Sequence, residues 1–202
     1  EMSTTLTFYG HAAFALNTFG YKLLIDPFFT DNPVAPITAE QAEASYIVVT
    51  HGHNDHVGDT VAIAKRTGAT VISNAEICDW LDEQGIKTHA QHLGGGFNYP
   101  FGYLKLTFAL HGAGLDAVKH ACGGNPAGIL LTTKDEQKIY HAGDTGLFGD
   151  MRLIGEEGIN LAILPIGDNY TMGPDDALRA IKLIKPKMVI PIHYDTFPLL
   201  KQ

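Results

Sequence analysis

The sequence predicts an α/β fold, and three features predict it. Short unbroken apolar runs have the length and β-branched content of fully buried strands: Tyr46-Ile47-Val48-Val49, Ala69-Thr70-Val71-Ile72 and Leu161-Ala162-Ile163-Leu164-Pro165-Ile166. Between such runs lie stretches with helix start and stop signals. Asp59-Thr60 leads to Gly68, Asn74 or Ser73 leads toward Gly85, and Pro174-Asp175-Asp176 opens a segment that lasts to Ile184. Paired segments joined by turn residues complete the pattern. At 202 residues and 45% hydrophobic content the chain can bury a sizeable core, so one domain over residues 1–202 is expected.

In order along the chain, residues 4–9 alternate polar and apolar and read as a half-buried strand. Gly10-His11-Ala12-Ala13-Phe14 follows, then a strand from Ala15 to Thr18, a turn at Phe19-Gly20, and a returning strand Tyr21–Ile25 that ends at Asp26-Pro27. His11 follows a glycine at a strand end. One reading makes it a group facing a cleft, the other a turn histidine bonded to backbone. Residues 28–37 contain Pro33 and Pro36 and read as a loop, with Phe28 and Phe29 either walling a cleft or packing beneath the loop. Cys78 and Trp80, on the helix from Asn74 to Gln84, belong to the core. His89 and His92 are surface or structural, and Gly94-Gly95-Gly96 lacks the strand–loop–helix context of a phosphate cradle. An alternating strand Tyr103–Phe108 leads to His111 and a Gly-Ala-Gly loop. His120 lies nine residues later, before Cys122, which reads as a small buried thiol. Strands at 127–133 and 138–142 form a pair ending in Gly143-Asp144-Thr145-Gly146, with His141 structural. A short helix spans the region of 146–154, and the last strand, Lys187–Ile192, delivers His193.

The richest stretch is Thr50-His51-Gly52-His53-Asn54-Asp55-His56. Four metal-capable side chains, His51, His53, Asp55 and His56, fall within six residues, directly after a buried strand. Neutral imidazoles and carboxylates hold zinc and neighbouring divalent ions, and a strand end is the usual place for a site in an open α/β sheet.

His51-x-His53-x-Asp55-His56 is also the signature of the metallo-β-lactamase-like hydrolase superfamily, which this chain resembles over nearly its whole length. The Gly-His-Ala-Ala-Phe, Leu-Ile-Asp-Pro and Asp168–Gly173 segments look most like its small single-domain branch of metal-dependent hydrolases related to ascorbate-6-phosphate lactonases. The resemblance implies a four-layer αβ/βα sandwich with two divalent metal ions at one edge. It implies that His51, His53 and His111 hold one ion, that Asp55, His56 and His193 hold the other, and that Asp144 bridges them. His111 fits the strand-end position of the third histidine, with His120 the competitor. Zinc suits a His and carboxylate set without Cys, and manganese or iron also fit.

A water shared by two cations is acidified toward hydroxide near neutral pH. The resemblance therefore implies attack on an ester, lactone or phosphodiester bond of a small-molecule substrate. Asp55 orients or shuttles the proton, His11 or the Asn169–Thr171 loop stabilises the developing oxyanion as a catalytic group, and Asn169, Tyr170 and Thr171 are available for substrate contacts. The alternatives are a non-catalytic metal-binding or sensor module and a dinuclear redox protein. The redox members of the superfamily usually carry an acid where His53 stands.

A net charge of −8 argues against nucleic acid as a partner, since that surface calls for a basic patch. No apolar run reaches the roughly 18 residues of a membrane span, and no secretory signal is visible, so a cytoplasmic protein is expected. Two cysteines, Cys78 and Cys122, are too few and too far apart for a disulfide framework. Relatives of the branch usually continue into a further helix, so a truncated C-terminus is expected.

Overall fold

The computed structural model describes residues 3–202 and contains two six-stranded sheets. The first half contributes β1 (Thr5–Phe8), β2 (Phe14–Thr18), β3 (Tyr21–Ile25), β4 (Tyr46–Val48), α1 (Asn54–Val57), α2 (Thr60–Thr67), β5 (Thr70–Ser73), α3 (Ala75–Asp82) and β6 (Thr88–Ala90). The second contributes β7 (Gly96–Tyr99), β8 (Gly102–Phe108), β9 (Gly114–Leu115), β10 (Ala121–Cys122), β11 (Ala127–Thr133), β12 (Lys138–His141), α4 (Met151–Glu156), β13 (Leu161–Pro165), α5 (Pro174–Ile184) and β14 (Met188–Ile192). One sheet runs β1-β2-β3-β4-β5-β6 and the other β14-β13-β12-β11-β8-β7, with β9 and β10 a separate small hairpin.

The unbroken apolar runs are explained by burial on both faces of each sheet. Val48 points into the space between the sheets, where it meets Phe14, Leu23, Ile25, Leu104, Ile129, Leu131 and Ile163. Its neighbours Ile47 and Val49 point outward to Ile63 on α2 and to Ile77 and Leu81 on α3. The second sheet repeats the scheme, with Leu130, Tyr140, Ala162 and Leu164 packing outward on Met151 and Ile154 of α4 and Ala177, Ala180 and Ile184 of α5. Apolar residues at i, i+3, i+4 or i+7 place each helix's stripe on its sheet. Helix, sheet, sheet, helix is the four-layer αβ/βα sandwich expected from the sequence.

Local chemistry sets the ends of the elements. Phe19 and Gly20 both have positive φ, 47° and 83°, the primed turn that suits the twist of the β2–β3 hairpin. The Asn74 side chain accepts a hydrogen bond from the Ile77 amide and so caps α3, which is the expected role. Asp59 precedes α2 as expected, but its carboxylate makes no cap bond there. It instead accepts hydrogen bonds from the amides of Phe29 and Thr30 and from the Thr30 hydroxyl, holding the 28–31 loop.

Several expectations are corrected. Gly96, read only as the last residue of a glycine run, opens an edge strand, Gly96–Tyr99, that pairs with β8. The flexible segment after His111 contains the β9–β10 hairpin. Cys122, read as a buried thiol, is exposed on that hairpin, while Cys78 is buried as expected. Among the described residues no helix is long and apolar enough to cross a membrane.

Candidate metal centre

Every element that delivers a site residue does so from the same edge of the sandwich. β1 leads to His11, β3 to Asp26, β4 to the His51–His56 turn, β8 to His111, β12 to Asp144 and β14 to His193. Strands β3 to β6 run parallel, as do β12 to β14, so their C-terminal ends converge where α/β sheets place ligands. Backbone bonds tie the halves across this edge: the Ala127 amide donates to the Thr50 carbonyl and the His193 amide to the His11 carbonyl, at 3.0 and 2.9 Å.

After β4 the chain makes a single helical turn, α1, which separates His53 from His56. Glycine is demanded on both sides of it. A Cβ on Gly52 would lie 2.4 Å from the Gly114 carbonyl oxygen, and one on Gly58 would lie 2.6 Å from that of Pro27. The β9–β10 hairpin therefore packs directly on the turn, fastened further by Asp116, whose carboxylate accepts the Asn54 amide at 3.0 Å.

The structure brings the seven ligand candidates together. His53 Nδ1 lies 2.9 Å from His51 Nε2 and 3.2 Å from His111 Nε2. Asp55 Oδ2 lies 3.6 Å from His56 Nε2 and 3.5 Å from His193 Nε2. Asp144 stands between the two sets. Its Oδ1 is 3.2 Å from His56 Nε2, and its Oδ2 is 3.0 Å from His193 Nε2 and 3.5 Å from His111 Nε2. A tetrahedral ion bound at about 2.0–2.1 Å sets its donors about 3.3 Å apart, so these spacings suit ions in both groups. His56 Nε2, His193 Nε2 and Asp144 Oδ1 are buried and have no hydrogen-bond partner in spite of their proximity. Such atoms are costly unless something else satisfies them, and divalent cations fit that need.

Asp26 supports the cluster and was not singled out from the sequence. Fully buried, it accepts hydrogen bonds from the Thr50 amide (2.8 Å), the Thr50 hydroxyl (2.6 Å) and His56 Nδ1 (2.6 Å). Because the Thr50 hydroxyl donates to Asp26, it accepts from His51 Nδ1 at 2.9 Å. In their neutral, ion-binding forms both imidazoles thus keep the proton on Nδ1 and present the Nε2 lone pair to the cluster. His11, 1% exposed, has Nε2 at 2.8 Å from Asp55 Oδ2 and Nδ1 at 2.9 Å from the Thr196 hydroxyl, a residue also missed in the sequence. Its ring rests edge-on against Phe28 and Phe197, so Phe28 packs beneath the loop and supports the site from behind. Phe29 lies in the outer core of the first sheet.

Three of these residues, His11, Asp26 and His193, have left-handed backbones with φ of 56°, 45° and 59°. Each such conformation costs roughly 1–2 kcal/mol in a non-glycine residue.

Electrostatics follow from crowding. Burial pushes His51 well below its ordinary range, with the neighbouring His56 adding to the effect, and burial likewise lowers His111 and His11. Burial would also lower His56 and His193. There the carboxylates prevail: Asp144, Asp55 and Asp26 hold His56 well above its usual value, and Asp144 lifts His193 to about 9. Burial would raise Asp144 and Asp55, but His56 outweighs it, together with the nearby His193 at both and the His11 hydrogen bond at Asp55, and holds both carboxyls low.

The remaining candidates are dispersed. Tyr170 lines the cleft above the cluster, together with Asp116, Phe197 and Leu200. Asn169 lines a neighbouring groove with Gly167 and Lys201, and the Thr171 hydroxyl donates to the Met172 carbonyl. His120 is exposed in the turn between β9 and β10, away from the cleft lining. His141 is buried, with Nε2 3.2 Å from the Ala12 carbonyl and Nδ1 accepting the Gly143 amide, a structural role.

Comparison with known proteins places this geometry in context. The profile described as Beta-lactamase superfamily domain matches residues 21–194. A protein of Heliobacterium modesticaldum named UPF0173 metal-dependent hydrolase is 49% identical over 98% of this chain and 85% of its own length. One of the same name from Desulforamulus reducens is 50% identical over 98% of this chain and 87% of its own. Among solved structures, a metallo hydrolase from the hyperthermophilic archaeon Ignicoccus hospitalis is 38% identical, with a TM-score of 0.89 over 98% of this chain and 86% of that one.

Proposed function

The chain belongs to the beta-lactamase superfamily, within the family named UPF0173 metal-dependent hydrolase, and on that premise we propose that it is a hydrolase with a two-ion centre that cleaves an ester, lactone or phosphodiester bond of a small molecule. His51, His53 and His111 would hold one ion, and Asp55, His56 and His193 the other. The observation that carries the reading is Asp144, buried between the two groups with Oδ1 3.2 Å from His56 Nε2 of one and Oδ2 3.5 Å from His111 Nε2 of the other. Of the cluster's neutral imidazoles and carboxylates, only a carboxylate can serve two ions in this way. When bound, the ions supply Lewis-acid charge and acidify a water in the cleft.

The chain's own residues do the rest. Asp26 fixes the tautomer of His56 directly and that of His51 through Thr50. His11 holds Asp55 through its Oδ2 and is a positioning residue. Asp55 is the part-exposed carboxylate of the cluster and suits proton transfer to or from a group in the cleft. An all-nitrogen-and-oxygen donor set is consistent with zinc, and manganese or iron fit the same set. Two unpaired thiols, one exposed, suit a reducing compartment such as the cytoplasm.

Elemental analysis together with a panel of chromogenic esters, lactones and phosphodiesters tests the reading. About two ions per chain, and turnover of one substrate class that is lost in Asp144→Ala, are expected. A chain that takes up no ion even after reconstitution would overturn it.

A further inference from the structure

The cleft over the cluster has a volume of about 290 Å³, close to ten waters' worth of space. Apart from the ligand candidates its walls are Tyr170, Phe197, Leu200 and Asp116, and none of the chain's 14 Lys and Arg lines it. The cation on the adjacent groove, Lys201, is turned to Asp168 at 3.7 Å. Beyond the ions themselves, an anionic substrate group is recognised by an Arg fork, a Lys or a free helix N-terminus. Here the exposed amide at the start of the metal-site turn, that of Asn54, is already taken by the Asp116 carboxylate.

The charge balance points the same way. Asp26, Asp55, Asp116 and Asp144 lie in or against the centre, so two divalent ions with neutral imidazoles leave it without net charge. The net charge of −8 includes these four aspartates, so the rest of the chain carries −4 and repels anions at long range. The apolar walls and the exposed ring of Tyr170 supply what a neutral ligand uses instead.

We propose that the cleft selects an uncharged ester or lactone bearing a compact apolar or aromatic group, and discriminates against phosphate esters. The inference rests on the hydrolase reading and narrows it. In the reaction the oxygen of water bonds to the acyl carbon, the acyl carbon–oxygen bond breaks, and the alcohol leaves with a proton drawn from that water, with no change of oxidation state.

The test uses the full chain loaded with zinc. Specificity constants are compared for an uncharged aryl ester and an aryl phosphodiester, and binding of phenylacetamide and phenylphosphonate is measured by calorimetry. The ester and the acetamide are expected to be preferred. Asp116→Asn, which keeps an acceptor for the Asn54 amide, is expected to tighten phosphonate binding about threefold. Tyr170→Ala is expected to weaken acetamide binding about three- to tenfold and leave phosphonate unchanged. Tighter phosphonate binding in the unaltered chain, with no response to Asp116→Asn, overturns the inference while leaving the hydrolase reading in place. If ions bind but neither substrate is turned over, the hydrolase reading fails, and the binding preference alone supports or overturns the selectivity.

Discussion

Asp26→Asn is the sharpest probe of how the centre is held. The position is fully buried with φ of 45°, a backbone that asparagine tolerates better than most residues, so the substitution changes chemistry with little backbone penalty. The amide oxygen can keep the Thr50 amide bond now 2.8 Å long, which leaves the NH₂ group where Oδ2 was, facing His56 Nδ1 and the Thr50 hydroxyl. Two donors cannot share one bond. His56 must move its proton to Nε2, the atom 3.2 Å from Asp144 Oδ1, and that lone pair is lost to an ion. The Thr50 hydroxyl must turn its hydrogen toward His51 Nδ1, forcing the same exchange there, one step removed. Loss of a supporting partner of this kind costs about 10–100-fold in ion affinity, or about 1.4–2.7 kcal/mol, with the larger effect expected at the His56 group. Charge-assisted bonds weakened in a dry site should also cost the ion-free fold about 2–4 kcal/mol. Competition against a chromogenic chelator reads the affinities and thermal denaturation reads the stability. A folded Asp26→Asn chain that binds both ions as tightly as the parent would refute the tautomer argument.

Three further outcomes are expected. Gly52→Ala sets a methyl group against the Gly114 carbonyl, and displacement of the β9–β10 hairpin should cost about 1–3 kcal/mol and weaken the His51–His53–His111 group, so an unchanged melt and ion affinity would refute the packing argument. His193 is lifted to about 9 by Asp144, so in the ion-free chain its contribution is full below pH 6.5 and lost as pH rises through about 9. Calorimetric melts in chelator should therefore decline across that window while apparent ion affinity climbs, because binding must expel the His193 proton; a melt that rises with pH there would contradict the assignment. His11→Ala frees Asp55 and should lower kcat about 10–100-fold with about two ions retained and the acidic limb of the pH profile moved, whereas an unaltered profile would make His11 purely structural.

Much of the fold is legible because its strands are buried on both faces. Ile47, Val48 and Val49 can all be apolar only when one points between the sheets and its neighbours point to helices, and this is why the run reads so plainly. Asn74 announces α3 by the same local logic. Where burial is one-sided or absent the signal fades. Three of the four residues of β7 are exposed, and the two-residue strands β9 and β10 are too short to carry any period. The ligand turn is legible because four donors lie within six residues, whereas the supports of the site are not. Asp26 reads only as the end of a strand before Pro27, and its partner His56 lies 30 residues away. Thr196 meets His11 across 185 residues, a pairing that no local pattern encodes.

The parentage of the donors has a consequence for the life of the protein. His51, His53, Asp55 and His56 hang from the first sheet, while His111, Asp144 and His193 hang from the second. Ions bound among them would act as cross-links between the two halves of the chain. His53 and His111 alone close a loop of 58 residues, for which chain-entropy arguments give a restraint of about 4 kcal/mol. The loaded chain would then resist unfolding more than the ion-free chain, whose halves are held by the core between the sheets and the backbone bonds across the edge. Ion supply would thereby set the apparent stability of the chain as well as its chemistry.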